Sequence, residues 1–354
     1  MYGIVILLLS MSIQLLCNLI GLNSTGYNLQ HIYTICLKLK HFNIKKMLSK
    51  IIGVSFYILV ILNTVFLYIS TSFQIGEASI LPNMSLISNI ELINLSEQIF
   101  NKSSYELFRH LIIRYQGQTN LKNFTDVAPE RLLYVSPRIP WTETTKSFMK
   151  LLDNYELDTY QPEIITKDED IEENEFINNL MKADVILHVM NFLSVKGFFE
   201  NNSLIYKNIL KEIWFHLYSR SKGINGSSGF EHVFVGERKP RKGITGLHNW
   251  ISFSSGELLN TINYFGFSHN MELSDKMGIL ETYFTYGNKR KMSTIFIGTT
   301  PELEVALYTL CFFARPNKRC NVSFTKFKFS IQTYVLHSNN KKFVASAFPI
   351  IGKR

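Results

Sequence analysis

Two apolar runs open the chain, residues 3–21 and 51–71, and the second carries no charge over twenty-one positions. About twenty apolar residues in a helix cross the hydrocarbon of a bilayer. Lys38, Lys40, Lys45, Lys46 and Lys50 stand before the second run. Basic flanks stay cytoplasmic, so the pattern predicts that the following chain lies outside. Three arrangements satisfy it. The second run is a signal peptide that starts near Met47 and is removed, a signal anchor that is retained, or one arm of a spanning hairpin that leaves the body cytoplasmic. We rank them in that order, so the expectation is a secreted protein or a type II membrane protein anchored through 51–71.

Beyond residue 76 the polar and apolar positions predict a helical half and then a β-rich half. Helices are expected within Ile90–Gln118, over Thr142–Leu152, over 174–197 and over Ile205–Tyr218. Phe176, Leu180, Val185, Ile186, Val189 and Met190 give the third a wide apolar face, and Leu210, Ile213, Trp214 and Leu217 give the fourth a stripe. The acidic run Lys167–Asn179 reads as a solvated helix start, where carboxylates complement the helix dipole. After the Gly223–Gly229 loop come short runs of strand-favouring residues: Phe230–Val235, Trp250–Phe253, Thr282–Tyr286, Thr294–Ile297, Lys326–Val335 and Lys342–Phe348. One helix interrupts them, with Thr300 as N-cap and Pro301 at its first position. The expected class is α+β, with a signal or anchor region at 1–76, a helical part at 77–222 and a mostly antiparallel β part at 223–354.

Composition adds little to this. A hydrophobic content of 46% supports a core, and the net charge of +9 sits largely in the lysines ahead of residue 51. The body is only mildly basic, which suits a polyanionic partner without demanding one. Cys17, Cys36, Cys311 and Cys320 form neither a disulfide framework nor a zinc spacing. Cys311 and Cys320 are a bridge in an oxidising compartment or two free thiols. Sequons at Asn83, Asn94, Asn101, Asn123, Asn201, Asn225 and Asn321 favour a secretory route and a glycoprotein.

The chemistry concentrates in one segment. His232 and His248 lie sixteen residues apart, and Lys289-Arg290-Lys291 follows. Two imidazoles and a cation suffice to cleave a phosphodiester through an internal hydroxyl: one imidazole takes a proton, the other gives one, and the cation neutralises the phosphorus oxygens. Imidazole serves both tasks because its pKa lies near neutrality. If Phe230–Val235 is extended, His232 faces away from Glu231 and Glu237 and need not touch either. The basic turn Glu237–Lys242 then brings the chain back, so that the imidazoles face one another across a cleft. Taken alone, such a pair is more often structural than catalytic, and a metal site built on it lacks tight ligand spacing.

The stretch Ser227-Ser228-Gly229-Phe230-Glu231-His232-Val233-Phe234-Val235-Gly236-Glu237, with Gly246-Leu247-His248-Asn249-Trp250, resembles the signature of the EndoU family of uridylate-specific endoribonucleases. Leu151–Glu156, Ile213–Arg220, Phe296–Glu304 and Ala306–Phe312 are similar to further motifs of that family in the same order. The resemblance runs from about residue 90 to about 350.

It implies an endoribonuclease that cuts single-stranded RNA at uridylates by attack of the 2′-hydroxyl, leaving a 2′,3′-cyclic phosphate. It implies His248 as general base, His232 as general acid, and Glu231 and Glu237 as supporting residues. Strict counting from Ile297 puts Arg290 at the family's lysine, a one-residue deletion restores Lys291, and an insertion favours Lys289; we assign Lys291. Ser293 or Thr294 stands where the family contacts uracil. Phe348 replaces the family's tyrosine, keeping a stacking face and losing a hydroxyl. Manganese is the implied cofactor, with no ligand cage evident in the sequence. The rival expectation is a catalytically weak RNA-binding or extracellular interaction protein on the same scaffold.

Overall fold

The computed structural model describes residues 86–103, 109–120, 122, 124–221, 223–239 and 242–352. The apolar runs 3–21 and 51–71 and the sequons at Asn83 and Asn123 lie outside the described residues. Among the described residues no helix is long and apolar enough to cross a membrane.

Among the described residues the first half holds five α-helices: α1 (Asn89–Lys102), α2 (Glu143–Lys150), α3 (Lys167–Leu180), α4 (Asp184–Val195) and α5 (Ser203–Phe215), with a small ladder of β1 (Leu111–Ile113) and β2 (Leu133–Val135) between α1 and α2. Four of the five starts carry a polar cap. Ser88 and Thr166 make reciprocal capping boxes with Glu91 and Glu169. Thr142 and Asn202 cap α2 and α5. The helix expected within Ile90–Gln118 stops at Lys102, and its far end is the strand β1. The single helix expected over 174–197 is two. Ala183 takes extended backbone (ψ 125°) and separates α3 from α4, so that α3 packs with α2 and α5 while α4 packs on a later central helix.

The second half opens with a small hairpin, β3 (Ser219–Ser221) and β4 (Ile224–Asn225), then a π-helical turn (Glu231–Val235), a hairpin of β5 (Glu237–Lys239) and β6 (Gly243–Thr245), and α6 (Trp250–Leu258). Two antiparallel meanders complete it. The first is β7 (Ile262–Ser274), β8 (Met277–Tyr286) and β9 (Lys289–Ile297); the second is β10 (Arg319–Phe324), β11 (Phe327–Ser338) and β12 (Lys341–Ile350). Between the meanders runs α7 (Pro301–Ala314), which packs on β11 and β12 on one side and on α1, α2 and α4 on the other. The class is α+β, as expected. The halves are tied together by the Ser96 hydroxyl of α1, bonded to both the backbone N–H and the carbonyl of Ser323, and Cys311 of α7 is bridged to Cys320 of β10.

Two of the expected strands are helical. Phe230–Val235 enters the π turn, and Trp250–Phe253 begins α6. Phe230, Val233 and Phe234 are spaced i, i+3, i+4, a helical face, and all three are fully buried. Phe230 stacks on Phe215 at 4.7 Å, and Phe234 meets Trp214 at 5.5 Å and Phe148 at 5.7 Å. Burying one such ring contributes about 1.5–3 kcal/mol, more than the strand preference of its residue type.

Candidate active site

The π turn closes with the Gly236 N–H donating to the carbonyl of Glu231, five residues back, at 2.7 Å. Gly236 then turns the chain out at φ +92°, a conformation that a side chain rarely tolerates. Such π segments recur at functional sites because they re-aim single side chains. Here the side chain is His232.

His248 is brought to it by backbone pairing. The Leu247 N–H donates to the His232 carbonyl at 3.0 Å, and the His248 N–H to the Val233 carbonyl at 2.7 Å. Gly246 makes this approach possible: a Cβ there would lie 1.8 Å from the His232 carbonyl oxygen. Leu247 is left at φ +58°, a strained conformation of the kind that clusters at functional sites. The imidazole centroids stand 6.2 Å apart, so one phosphate group can be reached from both. The two residues are 8% and 9% exposed, recessed rather than sealed.

The surroundings of the two rings differ. His232 Nδ1 lies 2.9 Å from Glu237 Oε1. The carboxylate sits off the direction of the ring N–H, so the contact is a close approach of a carboxylate to the ring rather than an aligned hydrogen bond. His232 therefore touches a glutamate after all; the helical turn points it back at the start of β5, where an extended segment would have turned it away. Burial and the nearby Arg220 charge lower the pKa of His232, and Glu237 opposes them. The other Glu237 oxygen accepts from the Ser227 hydroxyl at 2.5 Å and lies 2.8 Å from Arg220 Nε. Burial alone would raise the Glu237 pKa, but His232, Arg220 and Ser227 together bring it down to about 2. Glu237 is thus an ionised carboxylate at 0% exposure.

His248 has no carboxylate. Its Nδ1 is 3.1 Å from the Thr294 carbonyl and 2.9 Å from the Ser293 hydroxyl, which in turn donates to the Leu247 carbonyl at 3.0 Å. A carbonyl can only accept, so Nδ1 carries the proton and Nε2 keeps its lone pair. Burial, then the charge of His232, lowers the pKa of His248 to about 3. The imidazole is neutral at neutral pH, the form a base requires.

The register of β9 sorts the three cations. Lys289, Lys291 and Ser293 share one face of the strand, and Ser293 touches His248. Arg290 faces the other way, its guanidinium 5.0 Å over the Phe124 ring. Lys291, one inward position from Ser293, is half-buried and donates to the Lys242 carbonyl at the β5–β6 turn. Burial, followed by Lys242 and Lys289, lowers its pKa. Phe348 on β12 stacks on His248 with centroids 4.7 Å apart, so one of its faces is already covered by the imidazole. Glu231 is buried without a hydrogen-bond partner for either oxygen, and burial, then Glu237, pushes its pKa up to about 9. It is a neutral acid beneath the turn and does not reach the cleft.

Sequence reasoning missed two supports. Arg220 bonds the Tyr218 hydroxyl at 2.7 Å and the Ala345 carbonyl at 2.5 Å besides holding Glu237, so one guanidinium ties the His232 side of the site to β12. Asn249 caps α6 directly after His248 and donates to buried Glu304 at 3.2 Å; an asparagine before an apolar run was the available signal. Nothing local marks Arg220, because its partners lie as far as 125 residues away. Among the described residues no group of three or more histidines, cysteines, aspartates or glutamates could hold a metal ion. The one ionised carboxylate at the site is engaged by Arg220, Ser227, His232 and Lys239. These residues do not fit a resident manganese ion. A cleft of about 900 Å³ lined by Trp141, Trp250, Leu258 and Leu259 lies against α6 and includes neither imidazole.

Comparison with known proteins finds relatives of this chain. The family model described as Endoribonuclease XendoU matches residues 91–349. Uridylate-specific endoribonuclease B of Danio rerio is 38% identical over 223 residues, covering 61% of this chain and 78% of the fish protein. Uridylate-specific endoribonuclease D of Xenopus laevis is 34% identical over 294 residues, covering 78% of this chain and 95% of the frog protein. The solved structure of XendoU, described as a splicing-independent snoRNA processing endoribonuclease, superposes with a TM-score of 0.62 at 28% identity, covering 76% of this chain and 99% of that one.

Proposed function

Since this chain belongs to the XendoU family of endoribonucleases, we propose that it cuts single-stranded RNA at uridylates through the two recessed imidazoles. His248 Nε2 takes the proton of the uridine 2′-hydroxyl. The resulting oxygen attacks the adjacent phosphorus, and the 5′-oxygen of the next nucleotide departs with a proton from His232. The products are a 2′,3′-cyclic phosphate and a free 5′-hydroxyl. The surroundings support these roles: Glu237 favours a protonated His232 against burial and Arg220, whereas the Thr294 carbonyl favours a neutral His248 with its lone pair outward. Lys291 offsets charge on the phosphorus oxygens. Glu237 holds His232, and Glu231 supports the turn from beneath. Ser293 and the backbone carbonyl of Thr294 hold His248 against one face of Phe348, and uracil stacks on the other. DNA lacks the attacking hydroxyl and is not a substrate. No step is assigned to manganese.

The observation that carries this reading is the 6.2 Å imidazole pair with its unlike partners. Uridine-containing RNA and its DNA counterpart, incubated with wild type, His232→Ala and His248→Ala, provide the test, with and without manganese. Wild type is expected to cut only the RNA, and each variant to lose at least about 10²-fold in rate while keeping its fold. Cutting that survives both substitutions excludes the mechanism.

We also propose that the body resides outside the cytoplasm. The Cys311–Cys320 bridge and the exposed asparagines of the sequons at Asn94, Asn101, Asn201, Asn225 and Asn321 support this, as does the apolar run 51–71. Whether that run is removed or retained is read from the amino-terminal sequence of the purified protein.

A further inference from the structure

We propose that Tyr334 is a second base platform, which takes the nucleobase on the 5′ side of the cleaved uridylate. This rests on the ribonuclease reading above and extends it by one subsite.

Tyr334 is an aromatic side chain without a burial role. It is 47% exposed on β11, a strand whose neighbouring positions Ile331, Gln332 and Thr333 are buried. The register pairs Tyr334 with Ser346 and Gln332 with Phe348. Alternation along the strands therefore places Tyr334 and Phe348 diagonally on the same face of the sheet. Their ring centroids are 6.3 Å apart, tilted by 35°. The strand pairing shifts directly after Tyr334, where Ala345 is the extra residue of a bulge. Bulges turn a strand and re-aim its side chains, and this one is held in place by Arg220 on the Ala345 carbonyl.

The polarity follows from neighbour relations among the rings. His232 adjoins His248 at 6.2 Å, His248 adjoins Phe348 at 4.7 Å, and Phe348 adjoins Tyr334 at 6.3 Å. The leaving 5′-oxygen belongs at His232, the 2′-hydroxyl at His248 and the uracil at Phe348. The next base along that series is the one preceding the uridylate. Stacking on an exposed ring accepts any base, because every base has a π face. The subsite therefore adds affinity without adding a sequence requirement.

The test compares wild type, Tyr334→Ala and Tyr334→Phe on three short RNAs with a single uridylate: one unmodified, one abasic on its 5′ side and one abasic on its 3′ side. On unmodified RNA, Tyr334→Ala is expected to raise KM about five-fold or more with kcat little changed. Tyr334→Phe keeps the ring and behaves as wild type. On the 5′-abasic RNA the difference between wild type and Tyr334→Ala disappears, and on the 3′-abasic RNA it persists. The proposal is overturned if Tyr334→Ala matches wild type on unmodified RNA, if its penalty survives removal of the 5′ base, or if only removal of the 3′ base abolishes it. Wild type that cuts none of the three overturns the ribonuclease reading, and this one with it.

Discussion

At the scale of single residues, Glu237 has the most consequential surroundings. It is fully buried and ionised, and it faces His232 and Arg220 from its two oxygens. Its folded pKa of about 2 lies below the ordinary value of 4.5. The unfolded chain therefore binds the proton first as pH falls. The stabilisation is complete above about pH 4.5 and lost as pH drops from there through about 2. Glu237→Gln is expected to cost about 3 kcal/mol in urea unfolding at pH 7, with the gap to wild type closing across that acid range. A gap that stays constant with pH would show that the carboxylate's charge is not what holds it. The sequence did not reveal this contact: a strand period applied to Phe230–Val235 put His232 and Glu237 on opposite faces, and the aromatic packing around Phe230 and Phe234 decided otherwise.

At the scale of elements, the site depends on two backbone segments held closer than side chains allow. Gly246 is where that closeness is greatest. Gly246→Ala must push the Leu247–His248 segment away from the His232 carbonyl, at a position that also holds φ +78°. The variant is expected to lose about 10²-fold in kcat, since displacements near 1 Å cost that much, while its KM changes less. Its backbone strain costs about 1–3 kcal/mol, visible as a lower denaturation midpoint. Unchanged cleavage would mean that the two histidines do not need this ladder. The helices α2 and α5 were legible within a few residues because their apolar spacing is local, whereas α3 was expected to run on into α4. Also legible were β11 and β12, while β8 and β9 were read only over their ends, Thr282–Tyr286 and Thr294–Ile297, and not from their starts at Met277 and Lys289. The π turn and α6 were not, because their helical state comes from packing and from the Asn249 cap rather than from β-favouring residue types.

For the whole molecule, the sequence disclosed the class and the order of halves but not their interlocking. Nothing in the pattern indicates that α1, from the chain's early body, lies against β10, or that Arg220 reaches across to Ala345. The Cys311–Cys320 pair was open between bridge and free thiols, and the structure joins α7 to β10 through it. Closing so short a loop stabilises by about 2–3 kcal/mol. Reduction is expected to lower the urea midpoint accordingly and to leave RNA cleavage by the still-folded protein intact. Loss of activity at denaturant concentrations where the reduced protein stays folded would tie the bridge to the site instead.

His232 and His248 each show less than a tenth of their residue surface. A rigid duplex presents its backbone as a ridge too broad to enter such a recess, whereas a flexible strand can turn one linkage inward. Depth thus acts as a sieve on RNA secondary structure before any letter is read. The same uridylate moved from a loop into the stem of a hairpin should be cut at least about ten-fold more slowly, since opening a pair costs a few kcal/mol, and equal rates would mean that the groove gapes wider in solution than its walls suggest.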